Sequence, residues 1–344
     1  MKKKIAIAVS GGVDSLVSAF LLKQQPHTEL FGIHFTTGYE SHPVDIPSLS
    51  RQLGLKILTV DLSRQFTRHV VDYFTTTYLS GKTPNPCIIC NQTIKFGSLV
   101  SAAVQHGATH LATGHYARMK INDQGIPALY RGMDSIKEQS YFLAMLTANQ
   151  LQKAIFPLGN MTKQEVVALA RSHNLSPPEQ KESQDICFIK ESSFSDFIVT
   201  HTRKETFRPG PIVTPAGDTL GQHKGLHCYT VGQRRGLNCP GPAPYYVKKI
   251  DMENNRLVVG FKEDLLETHF KVKQVNWLLP TPLKSPITVE AKIRYSHKGE
   301  TAQIRPCGSD GIAVEFNRPQ NAVTPGQGAV FYMDDRVIGA GIIQ

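Results

Sequence analysis

The chain has 344 residues, 40% hydrophobic and 19% charged, with a net charge of +10 and a pI of about 9.3. That length allows two or three domains with real cores. The composition holds no apolar run near the roughly 20 residues of a membrane helix. The basic N-terminus Met1-Lys2-Lys3-Lys4 meets glycines too soon for a signal peptide, so a cytoplasmic protein with no membrane partner is expected.

Residues 1–200 alternate strand and helix. "KIAIAVS" (4–10) is a short buried strand, and "VDSLVSAFLLKQQ" (13–25) carries the helical stripe Val13, Leu16, Val17, Phe20, Leu21. The pattern repeats through the strand "ELFGIHF", the helix "DIPSLSRQLG", the strand "LKILTVDL" and the helix "FTRHVVDYFTTTYLSG". A helix over "NQTIKFGSLVSAAVQHG" (91–107), a strand over "THLATGHYA" and helices over "TANQLQKAIF" and "TKQEVVALARSHN" follow. The last begins with a Thr162…Glu165 capping box. Such alternation predicts an α/β domain with a doubly wound parallel sheet. From about residue 200 the segments become short and strand-like, with "RPGPIVTPAGDTLGQHKG" as the transition. A small β-rich central module over 201–268 and a C-terminal β-barrel over 269–344 are expected.

Residues 8–15, "AVSGGVDS", join the first strand to the first helix. Gly11 and Gly12 permit a tight turn, the helix start offers free N–H groups to an anion, and Ser10 and Ser15 add hydroxyls. The spacing is neither a Walker A loop nor a dinucleotide fingerprint. A plain glycine-rich turn would look similar, but the complete SGGxDS string in this position favours phosphate binding.

The six cysteines are 87, 90, 187, 228, 239 and 307. In a reducing compartment a C-x-x-C points to metal or redox chemistry. Cys228, Cys239 and Cys307 lack clustered partners and read as small buried hydrophobes.

"SGGVDS" resembles the PP-loop of the ATP pyrophosphatases, which fixes activation chemistry but not substrate. Four further strings resemble the tRNA-specific 2-thiouridylase (MnmA) family: "GKTPNPCIICNQTIKFG" (81–97), "ATGHYAR" (112–118), "GMDSIKEQSYFL" (132–143) and "ESQDICFI" (182–189). "YTVGQRRGL" (229–237), "RY" (294–295) and "AVTPGQGAVFY" (322–332) extend the match through the tail. The chain is shorter than the family pattern after "GIHFTTGYE".

The resemblance implies an ATP- and Mg-dependent tRNA uridine 2-sulfurtransferase. It would adenylate the C2 oxygen of wobble uridine 34, in Lys, Glu and Gln isoacceptors, and replace that oxygen by sulfur, releasing AMP and pyrophosphate. By the same resemblance Ala8, Val9, Ser10, Gly11, Gly12, Val13, Asp14 and Ser15 bind ATP, with Phe35 near the adenine and Gly114 lining the site. Asn85, Pro86 and Cys87 fall where the target base is contacted. His115, Lys137, Glu138, Gln139, Arg294, Tyr295 and Gln327 fall at tRNA-contact positions. Cys90 is the implied nucleophile and Cys187 the persulfide carrier.

The family pattern has Asp where this chain has Cys87. Two mechanisms follow from that change. Cys87, Cys90 and Cys187 could hold a 4Fe–4S cluster with one open iron, or Cys187 and Cys90 could run a persulfide relay with Cys87 substituting for the Asp. The cluster is ranked slightly ahead. A structural zinc lacks a fourth ligand. The sulfur would come from a desulfurase or sulfur carrier for the relay, and free sulfide could serve a cluster. Two other functions rank below the sulfurtransferase: a PP-loop ligase that amidates a small molecule, which would keep SGGVDS but needs neither "NPCIIC", "DICFI" nor a basic β-barrel tail, and a non-catalytic tRNA-binding protein with a structural metal, which an intact phosphate loop and Cys187 speak against.

Overall fold

The computed structural model describes residues 3–123, 125–177, 186–189, 193–202, 207–279, 283–308 and 310–344. The first part of "ESQDICFI", residues 182–185, lies outside them.

In chain order the first strands are β1 (Lys3–Ala8), β2 (Thr28–Thr36), β3 (Ile57–Asp61) and β4 (His110–Ala112). A hairpin of β5 (Ala117–Ile121) and β6 (Pro127–Arg131) follows, and then the short β7 (Ala154–Ile155). Five of these form one sheet in the order β3-β2-β1-β4-β7, with every pair parallel. Helices cover both faces, as parallel sheets require. On one face, helix α1 (Val13–Lys23) and the helix Lys163–Ser172 bury Leu16, Val17, Val166 and Ala170 with Ile5 and Ile7. On the other, Phe66, Val70, Phe74, Ile94, Phe96 and Leu99 pack on Ala6, Phe31 and Leu111.

The helix that carries the C-x-x-C differs from its sequence expectation in two ways. It starts five residues earlier, at Pro86, because the Asn85 side chain accepts the Ile88 N–H at 3.3 Å and caps it. Proline fits the first helical position, where its missing N–H costs nothing. Cys87 and Cys90 therefore ride on the helix rather than precede it. The stretch Cys90–Leu99 is also wound as a π-helix before α-geometry resumes at Val100–Gln105. Counted as one helix from Pro86 to Gln105, it is long and apolar enough to cross a membrane, which the sequence reading had not found. Its apolar side chains Ile88, Ile94, Phe96 and Leu99 are instead buried in the core.

The central module is a four-stranded sheet of β8 (Gly210–Val213), β9 (Thr219–His223), β10 (Tyr246–Asp251) and β11 (Arg256–Gly260), in the order β10-β11-β8-β9. Ile212, Leu226, Tyr229, Val247, Leu257 and Val259 form its small core. The last strands are β12 (Leu266–Trp277), β13 (Ile287–Lys292), β14 (Glu300–Cys307), β15 (Gly311–Asn321), β16 (Gly328–Met333) and β17 (Arg336–Ile343). They run β12-β15-β14-β13-β16-β17, and pairing of β17 back to β12 closes a six-stranded barrel. Period-two burial fills its interior: Ala302 and Ile304 point in from β14, and Ile312, Val314 and Phe316 from β15.

The barrel is not confined to the last third of the chain. The β5–β6 hairpin joins its sheet by pairing Tyr130 with Arg336. Arg131 pairs with Glu290 and stacks 4.0 Å from the Tyr332 ring, while Arg118 meets Asp335 at 2.8 Å. Leu278, Val330, Tyr332, Val337 and Ala340 share one hydrophobic core with Ile88, Leu129 and Tyr141. The barrel and the α/β domain are thus fused by a continuous apolar interface.

Candidate active site

The phosphate loop lies at the carboxyl end of β1, the usual ligand edge of an open parallel sheet. Gly11 has φ +87°, a conformation that glycine adopts without strain. Gly12 precedes α1 without any side-chain cap, which leaves the first N–H groups of that helix for a ligand. The Ser15 hydroxyl donates to the Gly12 carbonyl at 2.8 Å and receives the Ser10 N–H at 3.3 Å, so the two serines brace the turn. His34, not anticipated from the sequence, is buried and bonds the Val9 carbonyl through Nδ1 at 2.8 Å. Phe35 follows it at the end of β2, half-buried beside Ala8 in the same core. Gly114 touches the loop: a Cβ there would lie 3.0–3.1 Å from Asp14 atoms. Asp14 accepts the Tyr116 hydroxyl at 2.7 Å and the Lys163 ammonium at 2.8 and 2.9 Å. Neither partner carries a sequence signal, since Lys163 sits inside what reads only as a helix start.

The thiols are brought together from two distant segments. Phe188 is buried among Phe66, Phe74 and Phe197, with ring centroids 5.2–5.7 Å away. Its neighbour Cys187, which is exposed, sits close enough to the start of the helix from Pro86 to act electrostatically on Cys87 and Cys90. Burial pushes the Cys90 thiol up to about 12, with Cys187 and Cys87 raising it further and Lys95 opposing them. Cys87 reaches solvent, yet the protein walls around it raise its pKa too, followed by the effect of Cys187. Lys95 is a further residue without a sequence signal. Five residues along an α-helix turn the side chain by about 140°, whereas the i→i+5 bonding of a π-helix returns it toward the Cys90 face. The Lys95 ammonium also lies 3.5 Å from His115 Nε2. His115 itself is buried, bonds Thr113 through Nδ1 at 2.8 Å, and has its pKa held well below the usual range by burial and then by Lys95. A neutral imidazole there orients the lysine.

The expected tRNA-contact residues divide. Asn85, Pro86, His115 and Glu138 are buried. Asn85 caps its helix, and Glu138 faces Arg131, Lys292 and Tyr332 at the barrel seam. Gln139 docks on Tyr116 through its N–H and its side chain, at 2.9 and 3.1 Å. Gln327 uses Nε2 to hold the Thr83 and Pro84 carbonyls at 3.1 and 3.0 Å, and Thr83 N–H donates to Pro325. It pins the barrel to the turn before Cys87. Lys137 is half-exposed, and Tyr295 stacks 4.5 Å from Phe142. Arg294 bonds the Asn321 carbonyl at 3.0 Å. With Thr83, Thr230, Gly232 and Gln327 it lines a cavity of about 370 Å³ where the three modules meet.

Comparison with known proteins gives three consecutive family models. They are the "tRNA methyl transferase HUP domain" at residues 3–191, its PRC-barrel domain at 195–261 and an "aminomethyltransferase beta-barrel domain" at 267–343. A full-length relative from Desulfosudis oleivorans, a tRNA-specific 2-thiouridylase MnmA, is 48% identical over 99% of this chain and 94% of its own length. The chain belongs to the tRNA-specific 2-thiouridylase family. Another family member, from Magnetococcus marinus, is 41% identical over 99% of both chains. Among solved structures, a U34-tRNA thiolase from Methanococcus maripaludis with a 4Fe–4S cluster matches 54% of this chain and 60% of its own. At 23% identity and a TM-score of 0.35 the match is too loose to carry that cluster over.

The three thiols influence one another electrostatically, but among the described residues no group of three His, Cys, Asp or Glu is arranged to hold a metal ion. Lys95 favours the Cys90 thiolate against burial, and both thiol exchange and iron ligation need that form.

Proposed function

We propose that this chain is a cytoplasmic, ATP-dependent tRNA uridine 2-sulfurtransferase that uses a persulfide relay. The carrying observation is the meeting of an exposed Cys187 with a buried Cys90 on a wall shared, through Lys95 and His115, with the Gly114 edge of the phosphate loop.

The residues divide the labour by their surroundings. The loop from Ala8 to Ser15 would bind the phosphates of Mg-bound ATP, with Gly114 and Phe35 closing the nucleotide side. The wobble uridine would leave the anticodon stack and enter past Asn85, Pro86 and Cys87, below the Gln327 clasp. Basic Lys137 and Arg294 would set the register of the tRNA backbone, with Tyr295 beside them. Uridine O2 attacks the α-phosphorus, the bond to the β-phosphate oxygen breaks, and the N3 proton is lost, so that AMP becomes the leaving group. An exposed Cys187 can accept sulfur from a desulfurase or carrier protein. Its terminal persulfide sulfur attacks C2 and expels AMP. Cys90 then attacks Cys187 sulfur, which releases 2-thiouridine and leaves a Cys90–Cys187 disulfide. A thiol reductant supplies the two electrons that restore both groups. Cys87, at the mouth, lines the path of the base. Methyl transfer, the chemistry in the names of the domain models, needs neither paired thiols nor an ATP loop.

The test is a reconstituted reaction with tRNA of the Lys, Glu or Gln families, Mg-ATP and a persulfide donor. Pyrophosphate release that requires tRNA, together with 2-thiouridine by mass spectrometry, is expected. Pyrophosphate release without tRNA would point to a small-molecule ligase, and no ATP turnover to a binding protein. Anaerobic purification with iron analysis separates the mechanisms: about four irons per chain, lost in Cys87→Ala, would restore the cluster.

A further inference from the structure

One carboxylate at the start of α1 is gripped from two sides. The Lys163 ammonium lies 2.8 and 2.9 Å from the two Asp14 oxygens, and the Tyr116 hydroxyl donates to one of them at 2.7 Å. Lys163 is 149 residues from Asp14 in sequence, and its side chain is only 16% exposed. The local structure gives no reason for a lysine there. It occupies the first position of the helix Lys163–Ser172, where the helix dipole disfavours a cation. That helix is already capped by Thr162 and Glu165, and the Lys163 N–H is taken by the Asp134 carboxylate at 2.7 Å. Its apolar face, Val166 and Ala170, holds it against α1 without help from the ammonium. The charge is therefore placed for what lies beside it, the uncapped start of α1 and the glycine turn of the phosphate loop.

We propose that Lys163 is a phosphate-binding residue of the nucleotide site, held ready on Asp14 and shared with the triphosphate when Mg-ATP binds. The assignment rests on the reading of residues 8–15 as an ATP loop. A triphosphate approaching Asp14 meets a negative charge. Lys163 offsets it at once, and the divalent cation that travels with ATP gives Asp14 a replacement partner. When uridine O2 bonds to the α-phosphorus, the electron pair of the broken bond leaves on pyrophosphate. An ammonium beside that oxygen neutralises the charge as it develops. Asp134 positions the lysine through its backbone. The loop that holds Asp134 also holds Lys137 to Gln139, so the nucleotide and tRNA sides share a support.

Mg-ATP affinity by titration calorimetry and tRNA-dependent pyrophosphate release test the idea on four proteins: Lys163→Met, Lys163→Arg, Asp14→Asn and the Asp14→Asn/Lys163→Met double variant, with the parent chain alongside. Lys163→Met should weaken Mg-ATP binding roughly 10- to 100-fold, the range for one charge-assisted contact. The KM for tRNA should stay unchanged, and Lys163→Arg should recover most of the loss. The decisive readout is the double variant. Removing a lysine that touches phosphate weakens ATP binding further when Asp14 is already neutral; removing one that only holds Asp14 changes nothing more, and that result overturns the proposal. Parent-like ATP affinity in a folded Lys163→Met chain overturns it equally. If that variant fails to fold, Lys163→Gln, which keeps the stem and a donor without the charge, replaces it. A parent chain that binds no Mg-ATP would instead remove the nucleotide reading itself.

Discussion

The two ends of the site are built by different means. The phosphate end is a local structure: β1, a glycine turn and the whole of α1 lie within 21 residues, from Lys3 to Lys23. The thiol end is assembled from afar. It needs the helix from Pro86, the aromatic anchor of Phe188, the Thr113–His115 turn and the Pro325–Gly328 clasp of the barrel. The glycine-loop end therefore depends on one short segment, while the thiol end depends on how three modules close on one helix.

That division can be broken from either end. The largest effect is expected at the thiols: Cys90→Ser or Cys187→Ser should lower 2-thiouridine formation by ~10³-fold or more. A first turnover of tRNA-dependent pyrophosphate release should survive in both. Loss of both steps together would mean that the ends are not separable. Next, Asp14→Asn removes the carboxylate gripped by Lys163 and Tyr116 and should cut pyrophosphate release by ~10²-fold, with tRNA binding by gel shift intact.

Smaller effects probe the joint between the ends. Gln327→Ala removes two bonds to the turn before Cys87, which should cost about 1–3 kcal/mol of stability. It should slow thiolation while Mg-ATP affinity stays at the parent value; a parallel fall in ATP affinity would contradict a purely mechanical clasp. The smallest expected effect is on pH dependence. His115 is buried neutral, so its folded pKa lies below the unfolded value of about 6.5. The unfolded chain then binds the extra proton first, and stability present above that pH is lost as pH falls through it. Melting temperature should drop from pH 7 to pH 5.5, and His115→Asn should flatten the drop. His297 and His223, whose pKa values burial also lowers, will contribute a remaining slope.

Several features were legible in the residues. The parallel sheet followed from alternating apolar runs, and the Thr162 capping box formed as expected, with Thr162 accepting the Glu165 N–H at 3.3 Å. The barrel expected over 269–344 followed from repeated short strand-like runs without long helices, and its first strand starts a little earlier, at Leu266. What was not legible had no local signature. The β5–β6 hairpin belongs by sequence to the α/β domain and by hydrogen bonding to the barrel. Glu138 and Gln327, expected at tRNA-contact positions, are taken up by the seam between modules, which buries Glu138 and uses the hydrogen bonds of Gln327.

By itself the sequence determined the glycine loop after β1, the order of the α/β elements and the C-x-x-C pair, because turn geometry and apolar periodicity act over a few residues. Only the tertiary structure decided that Lys163 answers Asp14 and that a π-wound helix turns Lys95 toward Cys90. It also decided that Cys187, 97 residues after Cys90, arrives beside it. Electrostatic and packing partners are chosen by proximity in space, and proximity between distant segments is fixed when their apolar faces close into one core.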